Sequence, residues 1–370
     1  MISLIISPTR LYLLGWIIFV ISLLPGANFA QADDKTTFSI RKGVNISHWL
    51  SQSNRRGLER ENYFQEDDVA FIASCGFDHI RLPIDEEHMW DSEVNRDYTA
   101  FRLLHNALNW CKKYQLKCII DLHILRSHHF NAIEKPLWTD PNAQAHFLKL
   151  WESLSEQLRQ YPVEDVAYEL MNEPVADDPQ LWNHLLKRGI ETVRKNEPER
   201  KLVIGSNRWQ STETFDVLQI PHDPNLIISF HFYEPFLITH YRAPWTAIGK
   251  YSGPVSYPGK AVAESDLVGL DTALIKAVTN SNRNLTPKTL EKRILKPLKF
   301  ARKHGLPVYC GEWGAMKTTP EATYLAWYKD IRKILDKHQI AWTIWDYRGS
   351  FGIRNRDRQA YQNLIDVLTK

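Results

Sequence analysis

Eight short apolar runs, each followed by a longer stretch of different period, constrain this chain's fold more tightly than any other feature. The runs are 43–48, 78–82, 117–122, 165–172, 202–205, 226–232, 307–311 and 340–345. They have the length of strands, and most are apolar throughout rather than alternating, as parallel strands covered on both faces are. Helical patterns lie between them. In 97–114, Phe101, Leu104, Ala107, Leu108 and Cys111 recur at helical spacing. Asp140-Pro141, Thr286-Pro287 and Thr319-Pro320 read as N-caps followed by Pro at the first helical position. Cys75-Gly76 and His304-Gly305 read as helix ends, and a last helix is expected over 357–369. Eight strand–helix repeats predict an α/β protein, a single-domain (β/α)8 TIM barrel. An open doubly wound sheet is the competing arrangement. It has fewer strands and a glycine-rich phosphate loop, and no G-x-G-x-x-G occurs here. One connection breaks the rhythm: a long insertion rich in Gly, Pro and aromatics, about 235–286, separates strand 6 from helix 6. A loop of that length in a compact domain is usually functional.

Residues 1–32 stand apart from the barrel at 33–370. Arg10 precedes the apolar run Leu11–Leu24, and Ala30-Gln31-Ala32 fits a small-residue cleavage site. The run is short for a membrane span, so it reads as a cleaved secretory signal peptide, giving a secreted or periplasmic protein with no membrane attachment after cleavage. The 46 basic and 43 acidic residues leave a net charge of +3. That balance is too even for an electrostatic hold on nucleic acid, and a monomer is expected. Four cysteines, Cys75, Cys111, Cys118 and Cys310, form no C-x-x-C pair, which disfavours a zinc site. They read as buried free thiols, with Cys310 filling the barrel.

Barrel chemistry collects where the strands end. The ends here carry His48, Arg81, Asp121 and His123, Asn172 and Glu173, His231 and Tyr233, Glu312, Trp345 and Asp346. Glu173 closes "YELMNEP" after strand four, and Glu312 lies in "VYCGEWGA" at strand seven. Strands four and seven face each other across an eight-strand ring, so the two acids can meet over the axis. Either glutamate alone reads equally well as a cap or surface residue. Paired, and flanked by His, Arg, Tyr and Trp, they point to glycoside cleavage, in which one carboxyl donates a proton and the other attacks the anomeric carbon. Glu169 shares a face with Met171 and Glu173 by strand alternation. It is expected to point inward and to need a basic or hydrogen-bonding partner.

"YELMNEP" and "YCGEWGA" resemble the two signature segments of glycoside hydrolase family 5, in the clan of retaining (β/α)8 glycosidases. "FDHIRLPI", "IIDLHI", "ISFHFYEP" and "TIWDYRGSFGI" resemble four others, in the right order, over about residues 40–370. The resemblance implies Glu173 as acid/base and Glu312 as nucleophile. It implies that Arg81 and Asn172 hydrogen-bond the nucleophile and the sugar 2-OH. His123, His231 and Tyr233 would line the cleaved sugar's site, with Trp345 as its floor. His48 joins them as a candidate substrate-binding residue. Trp209 in "SNRWQS" reads evenly as a sugar platform or as loop packing. Trp245, in the long insertion with Phe236, Tyr241, Tyr251 and Tyr257, is the first candidate for a wall beside a more distant sugar. His128-His129 reads as a solvated loop or a subsite. No cofactor and no metal is implied, and the partner is a β-linked oligo- or polysaccharide. The segment "EPFLITHYRAPW…YPG" looks most like cellulase-type members, which points to β-1,4-glucan, with mannan, xyloglucan or other β-glucans and transglycosylation as alternatives. Two other classes fit parts of the pattern. A metal-dependent barrel hydrolase is suggested by Asp121-x-His123, His128-His129 and His231, although strand one lacks the usual H-x-H. A glycan-binding barrel without activity would not need both acids.

Overall fold

The computed structural model describes residues 37–370; the expected signal sequence at 1–32 lies outside the described residues. Eight strands form a closed barrel in chain order. They are β1 (Lys42–Asn45), β2 (His79–Asp85), β3 (Lys117–Ile124), β4 (Val166–Glu169), β5 (Leu202–Gly205), β6 (Leu226–Phe232), β7 (Val308–Trp313) and β8 (Ala341–Ile344). All pairings are parallel, and β8 closes onto β1 through Lys42–Trp342 and its neighbours. Buried residues run almost unbroken along the strands, because the barrel interior covers one face and the helices the other.

The helices Tyr98–Lys113, Pro141–Leu158, Pro179–Arg194, Pro287–His304 and Glu321–Lys337 form most of the outer layer. Their starts follow local chemistry. Asp97, Asp140, Asp178 and Thr286 each accept a backbone N–H of the first turn through a side-chain oxygen. At Glu321–Lys337 the cap differs from expectation. Pro320 is the N-cap itself, and the Thr319 hydroxyl donates to the Ile238 carbonyl at 2.7 Å instead of capping. The last helix is shorter than expected, Gln362–Thr369, since Arg354 and Ala360 pair in a tight bridge just before it.

Two departures from the regular repeat matter for the site. Between β5 and β6 the described residues form only a short turn at Asn207–Gln210 and a 3-10 turn at Phe215–Val217. This segment carries Ser, Thr, Asn and two prolines, which favour turns over a helix. After β6, by contrast, the chain takes Phe236–Thr239, Glu264–Leu267 and Thr272–Ser281 before the outer helix begins at Pro287. Tyr241 and Tyr251 are buried there and meet edge to face at 6.4 Å, so they pack the insertion. Tyr257 is half-buried and donates to Asp330 on the helix Glu321–Lys337.

Inside the barrel, Ile119, Ala167, Val203, Ile227, Tyr309 and Ala341 form one apolar layer, closed by Phe38. Tyr309 rather than Cys310 therefore fills the barrel. Cys310 belongs to the cluster between strands and helices, one residue out of phase. Cys111 and Cys118 are buried and Cys75 is half-buried; all four thiols are free. Strand alternation would then send Gly311 inward and Glu312 outward. A bulge in β7 prevents this. The pairing with β6 skips from Cys310 to Glu312, and the pairing with β8 skips from Cys310 to Trp313. The inserted residue re-aims Glu312 at the barrel mouth and sends Trp313 out among Trp327, Tyr328 and Trp342. Gly311 leaves room at the bulge, where a Cβ would lie 2.8 Å from Ser229 Oγ and 3.2 Å from His231 Nε2.

Candidate active site

One layer above the apolar plug sits the fully buried Arg81 of β2. Its Nε and Nη2 fork onto Glu169 at 2.6 and 3.1 Å. Its Nη1 donates to Asn45 and Glu312 at 2.9 and 2.8 Å, and Nη2 also reaches Asn172 at 2.8 Å and Asp121 at 3.0 Å. Arg81 is thus the partner that Glu169 needed, and its five N–H groups are all engaged with protein. It holds Glu312 and leaves no donor for a sugar.

β4 and β7 are separated by β5 and β6, so the two acids are not diametrically opposed. They approach because His231 of β6 stands between them. Its Nδ1 is 2.8 Å from Glu173 Oε1 and 3.5 Å from Glu312 Oε2. An oxygen of Glu173 and one of Glu312 lie within 4.8 Å of each other. Tyr233 donates its hydroxyl to Glu312 Oε2 at 2.9 Å. Among the described residues, Asn172 Nδ2 and His231 Nε2 are buried without a partner. Buried polar groups are nearly always satisfied, so these two mark where a polar ligand belongs.

Charge is unevenly shared across this cluster. Burial raises the pKa of Glu173 well above the ordinary carboxylic range, and the facing charge of Glu312 raises it further. Burial also raises Glu312, but Arg81 pulls it down, with the Tyr233 hydrogen bond adding to that pull. Among the described residues no guanidinium or ammonium touches Glu173. One cation therefore faces Asp121, Glu169, Glu312 and Glu173, and the proton that the cluster must hold resides on Glu173 in preference to Glu312. Burial, with Arg81 adding repulsion, keeps His231 neutral. Burial and the charges of Glu312 and Glu173 keep the Tyr233 phenol protonated.

The walls come from other loops. Trp345, after β8, stacks on His123 with ring centroids 5.6 Å apart and planes 8° from parallel. His123 Nδ1 meets Asp121 Oδ2 at 2.7 Å, and Gln52 Nε2 donates to His123 Nε2 at 3.0 Å. Burial drives the imidazole pKa down to about 3, so it stays neutral with its proton toward Asp121. Asp121-x-His123 is therefore a carboxylate orienting an imidazole, and both ring nitrogens are occupied. His48, in a left-handed conformation after β1, lies 3.3 Å from the Gln52 carbonyl and 3.7 Å from Asp346. His128 is neither a solvated residue nor a subsite. It is buried, and its Nε2 accepts the Val175 N–H at 3.2 Å, bracing the loop that follows Glu173.

Two tryptophans stand at the rim. Trp209 is 43% exposed, and its backbone N–H donates to the Pro174 carbonyl at 3.4 Å, in the loop that follows Glu173. Trp245 is 58% exposed. It meets His240 edge to face at 6.3 Å, and His240 meets Tyr233 at 5.1 Å, so two ring contacts separate Trp245 from the Glu312 hydrogen bond. Ligand atoms of Glu173, His231 and Glu312 lie close enough together to hold a metal ion. However, Arg81 and Tyr233 already claim Glu312, and the guanidinium would repel a second cation. The set fits a proton and a nucleophile better than a metal. Sequence reasoning missed Gln52 and Gln210; amides give no motif, and their partners are distant in the chain.

A parallel eight-strand barrel with two carboxyls brought together at its mouth belongs among the barrel glycosidases. The family model described as Cellulase (glycosyl hydrolase family 5) matches residues 39–350. The chain belongs to that family and is an O-glycosyl hydrolase. It is 30% identical to Endoglucanase C of Acetivibrio thermocellus over 339 residues, covering 90% of this chain and 98% of that one. It is 29% identical to Cellodextrinase A of Ruminococcus flavefaciens over 306 residues, covering 82% and 84%. Among solved structures it resembles Thermotoga maritima Cel5A in complex with mannotriose, with a TM-score of 0.73 and 20% identity over 90% of this chain and 98% of the other. The likeness supports the fold.

Proposed function

We propose that this protein is a secreted retaining β-glycosidase that hydrolyses β-linked polysaccharide, with β-1,4-glucan as its substrate and internal linkages as its point of attack. The observation that carries the reading is that an oxygen of Glu173 and one of Glu312 lie within 4.8 Å of each other, with His231 between the two acids. Retaining pairs stand about 5–5.5 Å apart, whereas inverting pairs leave roughly 6.5–9.5 Å for a water. In the first step Glu312 attacks the anomeric carbon while Glu173 protonates the departing oxygen, giving a glycosyl ester on Glu312. In the second, Glu173 takes a proton from water, and the resulting hydroxide displaces Glu312 with return of the original configuration. Arg81 and Tyr233 keep Glu312 ionised for the attack, and the unpartnered Asn172 amide is placed to donate to the sugar 2-OH. The neutral His231, with its proton on Nδ1, donates to Glu173 and leaves the other carboxyl oxygen to carry the acid proton. His123 and Trp345 line the cleaved sugar's site, with His48 beyond them. Trp209, beside the acid, offers a face to the leaving sugar.

The glucan assignment is supported by relatives named endoglucanase and cellodextrinase at about 30% identity. Among the described residues no helix is long and apolar enough to cross a membrane, and export rests on residues 1–32, whose removal N-terminal sequencing of the processed protein tests. The reaction itself is tested by an NMR time course on cello-oligosaccharides. The first product should retain the β configuration, and an inverted first product would overturn the assignment. Turnover on matched glucan, mannan and xyloglucan oligosaccharides tests the substrate.

A further inference from the structure

The turn that replaces a helix after β5 carries three consecutive residues, Arg208, Trp209 and Gln210, at φ of 58°, 61° and 50°. Side chains with a Cβ disfavour this left-handed region, and such strain persists only where surrounding structure over-determines it. Here the constraints can be named. Asn207 exchanges two hydrogen bonds with the Ala176 backbone, both 2.9 Å. Thr214 Oγ1 donates to Asn207 O at 2.6 Å, and Ser206 Oγ donates to Ser211 O at 2.9 Å. The turn is thereby fastened to the loop that carries Glu173, itself at φ 43°.

Gln210 is the inward-facing product of that turn, and it is fully buried. Its Oε1 accepts the Glu173 N–H at 3.1 Å, and its Nε2 donates to Glu169 Oε1 at 3.0 Å. Space for it is provided at Gly205, where a Cβ would collide with Gln210 Cγ, Cδ and Nε2. The amide works in one sense only: its carbonyl must face the N–H and its NH2 must face the carboxylate. We infer that Gln210 is a positioning residue for the acid/base: its amide fixes the peptide from which the Glu173 side chain departs and ties that peptide, through Glu169 and Arg81, to the group that holds Glu312. The inference rests on the assignment of Glu173 as acid/base.

Gln210→Met tests it, since methionine fills similar volume and makes neither hydrogen bond. A displaced acid matters where the leaving group needs a proton and little where it does not. The kcat/KM for a cello-oligosaccharide should fall roughly 10- to 100-fold, and kcat/KM for an aryl glycoside with a very good leaving group should fall less than about threefold. The alkaline limb of kcat/KM should move to lower pH, because Glu173 drawn away from Glu312 feels less of its charge. Equal losses on both substrates with an unmoved alkaline limb, or no loss on either, would overturn the inference. Gln210→Glu gives a second reading. Its neutral carboxylic acid can accept the Glu173 N–H and donate to Glu169, so oligosaccharide activity should recover as pH falls. Absence of that recovery in a folded variant counts against positioning, and failure of both variants to fold would reassign Gln210 as purely structural. The parent assignment is read separately from Glu173→Ala. Without leaving-group selectivity in that variant the acid/base role itself fails; with it, a flat Gln210 result removes only the present inference.

Discussion

Glu173 and Glu312 are the same residue type in the same cavity, separated in role by their neighbours. Glu312→Ala should abolish turnover of every substrate, a loss of at least about 1,000-fold. Glu173→Ala should spare kcat/KM for substrates with very good leaving groups, with kcat held down by the slowed second step, while losing roughly 100-fold or more in kcat/KM on oligosaccharides. Identical losses in both variants on both substrates would remove the assignment. Because the proposed reaction needs Glu173 protonated and Glu312 ionised, kcat/KM should be bell-shaped. The raised pKa of Glu173 keeps it protonated to higher pH, so activity is lost as pH rises through that value. Glu312→Gln removes the facing charge and should lower the Glu173 pKa, which carboxyl 13C NMR would read directly. Asp85 makes a stability prediction by the same logic. Burial pushes its pKa up to about 7, and its Oδ2 accepts the Gln52 N–H at 2.6 Å. A carboxyl raised on folding contributes stability that is fully present below its ordinary value and is lost as pH rises through about 7. The shift corresponds to roughly 4 kcal/mol at most. Asp85→Asn can still accept that N–H without ionising, so its stability relative to wild type should increase from pH 5 to pH 8. A difference in unfolding free energy that stays flat over this range would sink the prediction.

At the scale of elements, the strands were readable because apolar runs of strand length recur eight times, and the acids were readable because they end such runs. What the sequence concealed lies between elements. The Arg81–Glu169 fork joins β2 to β4, and the Gln210 bridge joins the β5 turn to the β4 loop; no local pattern records either. The β7 bulge was hidden for a related reason. Alternation counted from Cys310 assigns the wrong face, and only the pairing with both neighbours reveals the extra residue. The insertion after β6 was visible as a long stretch of aromatics, but not their division of labour. Tyr241 and Tyr251 are buried packing, whereas Trp245 remains exposed two ring contacts from Glu312's hydrogen-bond donor. Trp245→Ala should therefore weaken hydrolysis of long oligosaccharides about tenfold while leaving a short activated glycoside nearly unchanged. Equal losses on both, with a lower Tm, would show that Trp245 only holds the insertion in place. Tyr251→Ala should give that second pattern.

At the scale of the whole molecule, the proposed two-carboxyl chemistry asks for no group beyond the chain's own side chains. Prolonged chelation should leave turnover unchanged, and loss of activity restored by zinc would revive a metal-dependent hydrolase built on Glu173, His231 and Glu312. The larger consequence comes from Arg81. Its partners belong to β1, β3, β4, the loop after β4 and β7, so one side chain ties the barrel mouth together and favours the ionised form of Glu312. Removing any acidic partner strands part of a buried cation, and replacing Arg81 by Lys keeps the charge but cannot make the five-way fork. Few single changes near the floor of the cleft can then survive to be selected. Trp245 is exposed on the insertion after β6, outside that network, and it can be exchanged alone. Descendants of this gene that acquire a taste for another glycan should differ from it along the rim and keep its floor.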